Sequence, residues 1–208
     1  MLPRGVYLIT DAALCRGTGL LASVRAGLAG GVRSVQYRDK GNDAARRLDE
    51  ARSLKALCDE AGACFLINDD PALAAACGAA GVHVGREDGD PAELRRTYGS
   101  KLMIGVSCYD SLELAHAAVA SGADYVAFGS AYASPTKPGA VRAPLSLYRE
   151  ASVALPVPVV AIGGITAANG RPLVEAGCQA LAVISAVIDS PSPTAAAAGI
   201  SALFVDLP

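Results

Sequence analysis

The chain has 208 residues, of which 52% are hydrophobic, 18% charged and 5% aromatic, with 22 glycines, 12 prolines and no tryptophan. Lysine and arginine number 18 against 20 aspartates and glutamates, for a formal net charge of −2. That balance excludes a disordered chain, which would be poorer in apolar residues, and a general nucleic-acid binder, which would carry a basic excess or stripe. The length suits one large domain or at most two small ones, and with no linker or low-complexity stretch a single domain over residues 1–208 is expected.

No segment reads as membrane-spanning. The charge-free stretch 151–170 has the length, but Pro156, Pro158, Gly163 and Gly164 would break a membrane helix. The apolar run before Asp11 is too short for a signal peptide, so a cytoplasmic location is expected. The six cysteines form no C-x-x-C pair and no zinc-ligand spacing. They are expected to be small buried hydrophobes, with a redox role as the alternative.

In chain order, one unit recurs: a short β-branched run, a polar loop, then an Ala/Leu-rich helical stretch. Strands are expected at 6–10, 34–38, 64–68, 81–84, 103–107, 125–128, 159–162 and 180–183. These are continuous apolar runs, as in parallel strands covered on both faces. Asp43, Asp70, Asp90 and Asp110 or Ser111 stand at helix starts, Pro71 and Pro91 follow at first-turn positions, and Gly30, Gly62, Gly78, Gly99, Gly122 and Gly177 mark helix ends. Ala195–Ala198 suggests a last, weak helix. Eight units in 208 residues leave 26 residues per unit, enough for a small (β/α)8 TIM barrel. An open doubly wound sheet is the structural alternative.

In a barrel, reactive groups gather where the strands end, and the unusual polar residues of this chain fall there. Period-two alternation puts Gln36, Arg38 and Lys40 on one side, where two cations and an amide suit a polyanion. The alternative is a solvated pairing of the cations with Asp39. Asp69 and Asp88 end neighbouring strands and could share a divalent cation with substrate oxygens; otherwise they are helix caps. Gly163-Gly164-Ile165-Thr166 and Ile184-Ser185 follow the last two strands, where barrels bind phosphate through backbone N–H groups. Ser134, Thr136 and Lys137 lie on a long loop able to close the site. His83 reads as a packed, hydrogen-bonded histidine, and His116 as a surface one.

The motifs VQYRDK, INDD, GVHVGRED, GVS, GADYVAFGSAYASPTKPG, PVVAIGGIT and AVISAV, in this order, resemble those of the thiamine phosphate synthase family over nearly the whole chain. The resemblance implies a Mg2+-dependent transferase. It would couple 4-amino-2-methyl-5-hydroxymethylpyrimidine diphosphate to a thiazole phosphate, giving thiamine monophosphate and diphosphate. By resemblance, Gln36, Arg38, Lys40, Asn68, Ser107 and Lys137 serve the pyrimidine diphosphate. Ser134, Thr136, Gly164, Ile184 and Ser185 serve the thiazole phosphate, and Asp69 and Asp88 hold Mg2+. Arg38, Lys40, Ser107 and Lys137 are the expected catalytic residues. Cys108-Tyr109-Asp110 departs from the family's usual pattern after the serine. Two other functions fit the fold: a thiazole tautomerase-like isomerase, which needs no diphosphate and metal site, and a non-catalytic phosphate-binding barrel. The sequence leaves open whether copies of the chain assemble into a homo-oligomer.

Overall fold

A computed structural model describes residues 1–16, 19–133 and 141–205. Eight parallel strands close in chain order into a barrel. They are β1 (Gly5–Ile9), β2 (Val32–Tyr37), β3 (Cys64–Asn68), β4 (Gly81–Val84), β5 (Met103–Tyr109), β6 (Tyr125–Gly129), β7 (Val159–Ile162) and β8 (Ala180–Val183). Four of the eight coincide with the expected ranges, and the others differ by one or two residues at an end. Closure rules out the open sheet: β1 pairs with β8 in the register Gly5↔Ala180 through Leu8↔Val183.

The helices α1 (Leu20–Ala29), α2 (Ala44–Glu60), α3 (Pro71–Cys77), α4 (Pro91–Tyr98), α5 (Leu112–Ala120), α6 (Leu145–Ala154), α7 (Arg171–Glu175), α8 (Ser185–Ile188) and α9 (Pro193–Ser201) cover the outside. The cap signals act as expected. The side chains of Asp43, Asp70, Asp90 and Ser111 accept from backbone N–H groups in the first turns of α2, α3, α4 and α5. Each such cap is worth about 1 kcal/mol. Among the described residues no helix is long and apolar enough to cross a membrane.

Strand alternation sorts the apolar residues into two layers. In β1, Val6 and Leu8 join the large cluster between strands and helices, while Tyr7 and Ile9 join a smaller one inside the barrel. Both faces are buried, which is why the strand sequences run apolar without a break. Each fully buried Val or Leu is worth about 1.5–3 kcal/mol, so the larger outer layer supplies most of the cohesion and the interior can carry polar groups. The six cysteines are unpaired; five are buried and Cys64 is partly so. Burial pushes the Cys58, Cys108 and Cys178 thiols up to about 12 and that of Cys64 to about 11, which keeps them protonated at neutral pH.

Inside the barrel the Tyr125 ring crosses over Gly105, its register partner on β5. A Cβ at Gly105 would stand 1.9 Å from the Tyr125 ring. Overpacking of a rigid core typically costs about 1–3 kcal/mol, and this contact is far shorter than any the ring can relieve by small shifts. Gly105→Ala is expected to destabilise the protein by at least about 3 kcal/mol, read as a lower midpoint in chemical denaturation. An unchanged midpoint would mean that the ring does not lie there.

Candidate active site

At the C-terminal end of β2, Arg38 and Lys40 stand at the edge of a cleft of about 700 Å3 whose walls include Thr10, Asp11, Tyr37 and Glu50. The Arg38 N–H donates to the Thr10 hydroxyl at 2.9 Å, and its guanidinium lies 3.7 Å from Asp11. Asp11 is itself held by the N–H groups of Ala13 and Leu14 at 2.9 and 3.2 Å. The alternative pairing of these cations with Asp39 is not what forms. Asp39 instead pairs with Arg46 at 2.8 Å and accepts from the Gly41 N–H at 2.5 Å. The Arg46 guanidinium holds the Asp39 carboxyl below its ordinary range. Arg46 also pairs with Glu50, which accepts from the Tyr37 hydroxyl. The loop is thereby braced from α2, with Arg38 and Lys40 left facing the cleft.

Lys40 also borders a second hollow of about 350 Å3, shared with Arg47, Asn68 and Asp69. Its ammonium lies 3.9 Å from the Asp69 carboxylate. Asp69 follows β3 with a φ of 61°, a left-handed conformation rare for a residue with a side chain. Its N–H donates to the His83 carbonyl at 2.8 Å, and its carboxylate accepts from the Asn68 amide. Asp88 lies within hydrogen-bonding reach of it and accepts from the Gly85 N–H at 3.2 Å. Capping of the adjacent helices falls to Asp70 and Asp90, which leaves Asp69 and Asp88 aimed at one another. Burial, followed by the Asp88 charge, pushes the Asp69 carboxyl above its ordinary range, with Lys40 opposing. Two facing carboxylates destabilise each other unless a cation or proton intervenes. Among the described residues no group of three or more histidine, cysteine or acidic side chains could hold a metal, so a cation here would take its other oxygens from water or substrate.

Beneath the mouth runs a chain of hydrogen bonds. The Gln36 amide nitrogen donates to the Tyr7 hydroxyl at 2.7 Å, and the hydroxyls of Tyr7 and Tyr125 meet at 2.9 Å. The Tyr125 hydroxyl lies 3.0 Å from His83 Nδ1, and His83 Nε2 lies 2.9 Å from Ser107 Oγ. Gln36, expected at the mouth, is thus 2% exposed and engaged inside the barrel. His83 is packed and hydrogen-bonded as expected, with the Tyr125 ring stacked on it. Its contact with Ser107 was not legible in the sequence. Inward parity on β1, β4 and β6 was the available signal for Tyr7, His83 and Tyr125. His116 is exposed on α5, as expected.

Across the mouth, Gly164 adopts a φ of 62°, and a Cβ there would stand 2.3 Å from the Ala133 carbonyl. Asn169 braces this turn, accepting from the Thr166 N–H at 2.8 Å and donating to the Gly164 carbonyl at 3.0 Å. Ile184 caps α8, which opens with Ser185. First-turn N–H groups have no acceptor inside their own helix and so favour an anion. Ser134, Thr136 and Lys137 fall outside the described residues. Tyr109 lies on the rim, 41% exposed, with the Arg86 guanidinium 5.2 Å above its ring.

Burial pushes the His83 imidazole down to about 4, with Asp88 opposing. The unfolded chain therefore takes up a proton at this residue near pH 6.5 that the folded chain refuses until about pH 4. The stability that neutral His83 contributes is whole above pH 6.5 and is lost as pH falls toward 4. Denaturation midpoints of the wild type should thus fall more steeply across that window than those of His83→Asn. Parallel slopes would contradict the burial argument.

The family model described as thiamine monophosphate synthase matches residues 6–187. A thiamine-phosphate synthase of Thiobacillus denitrificans is 52% identical over 210 residues, covering 99% of this chain and 97% of that protein. One from Azoarcus sp. strain BH72 is 54% identical, with 97% of each chain covered. Among solved structures, the thiamine phosphate pyrophosphorylase from Pyrococcus furiosus superposes with a TM-score of 0.87 at 33% identity, covering 96% of this chain and 95% of that one. The strand-end motifs, the closed barrel and these likenesses agree: the chain belongs to the thiamine monophosphate synthase family.

Proposed function

We propose that this chain joins a hydroxymethylpyrimidine diphosphate to a thiazole phosphate, releasing diphosphate and forming thiamine monophosphate, in the cytoplasm. The observation that supports the reading is that polar groups gather on two opposite sides of the mouth. Arg38, Lys40, Asp69 and Asp88 gather on the β2–β4 side, and the Gly164 turn and the start of α8 lie across the ring at β7 and β8. A diphosphate with a divalent cation suits the first half, and a phosphomonoester suits the second. An isomerase of thiazole phosphate would need the second half alone.

On this reading Gln36, Arg38, Lys40, Asn68, Ser107 and Lys137 hold the pyrimidine diphosphate, with Ser107 near both the pyrimidine and its leaving group and Arg38, Lys40 and Lys137 on the diphosphate. Ser134, Thr136, Gly164, Ile184 and Ser185 meet the thiazole phosphate. The facing carboxylates of Asp69 and Asp88, with Asp69 pushed above its ordinary range, suit Mg2+. When bound, Mg2+ supplies positive charge to the leaving diphosphate. The chain's own contribution is electrostatic. Arg38, Lys40 and Lys137 stabilise negative charge that grows as the bond to the pyrimidine methylene breaks, and the pyrimidine amino group stabilises the cation left behind. Removing one preorganised donor of this kind typically costs ~3–4 kcal/mol. The thiazole nitrogen attacks with its own lone pair, so no general base is required, and neutral His83 is free for another role.

The purified chain should form thiamine monophosphate and diphosphate from the two substrates with Mg2+. Binding of both substrates without product would overturn the proposal. Asp69→Ala should lower turnover by at least about 100-fold while thiazole phosphate still binds, measured by calorimetry. In the absence of substrates, Mg2+ should raise the melting temperature of the wild type but not that of Asp69→Ala; equal shifts would remove the metal assignment.

A further inference from the structure

The polar chain inside the barrel has a direction that follows from the chemistry of its members. An amide nitrogen only donates, so the Tyr7 oxygen accepts from Gln36 at 2.7 Å. The single proton of Tyr7 is then directed to Tyr125, 2.9 Å away. Tyr125 in turn has its own proton for His83 Nδ1 at 3.0 Å. A neutral imidazole that offers a lone pair at Nδ1 carries its proton on Nε2, and Nε2 lies 2.9 Å from Ser107 Oγ. Ser107 therefore accepts from His83, and its own proton is left for another acceptor.

Packing holds this arrangement in place. Tyr7 and Tyr125 are 1% and 0% exposed, their rings are edge to face, and the Tyr125 ring stacks on His83 with centroids 5.5 Å apart. Gly105 provides the space for the Tyr125 ring. A purely apolar interior would fill the same volume without burying three ring polar groups that must all be matched. The linked groups also end at Ser107, which is partly exposed, rather than closing on themselves.

We propose that Tyr7 and Tyr125 are positioning residues: through this chain they fix His83 as the Nε2–H tautomer and so present Ser107 as a hydrogen-bond donor to the anionic leaving group. The link to turnover rests on the assignment of Ser107 to the pyrimidine diphosphate half of the mouth. The wiring itself does not.

The chain contains two histidines, so long-range 1H–15N spectra of the full-length protein with labelled histidine resolve His83 beside exposed His116. At neutral pH and without substrate, His83 should show a protonated Nε2 and an unprotonated Nδ1. Tyr125→Phe, which keeps the ring and removes the hydroxyl, should shift His83 away from that single tautomer. It should also lower kcat about tenfold with KM little changed. In a Ser107→Ala background the same substitution should have no further effect on kcat, because the two residues act through one contact. Tyr7→Phe, one link more distant, should give a weaker form of both effects and stands in if Tyr125→Phe does not fold. A protonated Nδ1 in the wild type, a tautomer untouched by Tyr125→Phe, or additive losses in the double variant would each overturn the proposal. If the wild type gave no synthase turnover, the reading of the site would fail while the tautomer still decided the wiring.

Discussion

Two tyrosine hydroxyls meet 2.9 Å apart in the interior of the barrel, and both the packing below and the chemistry above depend on how they are satisfied. A buried hydroxyl without a partner costs about 1–3 kcal/mol. Gln36 and His83 supply the outer partners, and Gly105 gives up its side chain so that the Tyr125 ring can reach them. Burial, the largest influence on Tyr7, Tyr125 and His83 alike, keeps all three neutral. The apolar layer between strands and helices provides the cohesion that makes such an interior affordable.

Above this layer, charge is arranged by exclusion. Asp39, Asp70 and Asp90 are engaged in bracing and capping: Asp39 with Arg46, Asp70 with Arg47 and the start of α3, and Asp90 with the start of α4. What remains is Asp69 facing Asp88, with Lys40 beside Asp69 and Arg38 on the neighbouring cleft. The near-neutral total of the chain therefore conceals a local pattern, in which a few cations and two neighbouring carboxylates share one rim. That pattern suits a small, highly charged ligand rather than a polymer, whose length would need a basic surface.

Much of the fold was legible because its signals are local. Continuous β-branched runs marked all eight strands, since both faces of each are buried. Asp43, Asp70, Asp90 and Ser111 marked helix starts because a cap joins residues two or three apart. Asp69 and Asp88 could be paired in advance because adjacent parallel strands end side by side. Alternation along β2 does not say how deep a side chain sits: Gln36 is engaged inside the barrel with Tyr7, while Arg38 pairs with Asp11 at the cleft. The pairing of Asp11 with Arg38 was not legible because it joins two different strand ends, and the bracing of the Gly164 turn by Asn169 was not because no fixed motif marks it.

The sequence by itself determined the strand and helix order, the residues at the strand ends and the family, all of which rest on contacts between near neighbours or on motifs in register. Only the tertiary structure decided that the first strand closes on the eighth, and that Tyr7 meets Tyr125 across 118 residues of chain. It alone joined His83 to Ser107. Such contacts depend on barrel closure bringing inward side chains from distant strands to one level. A hydrogen bond between them leaves no trace in the spacing of either residue.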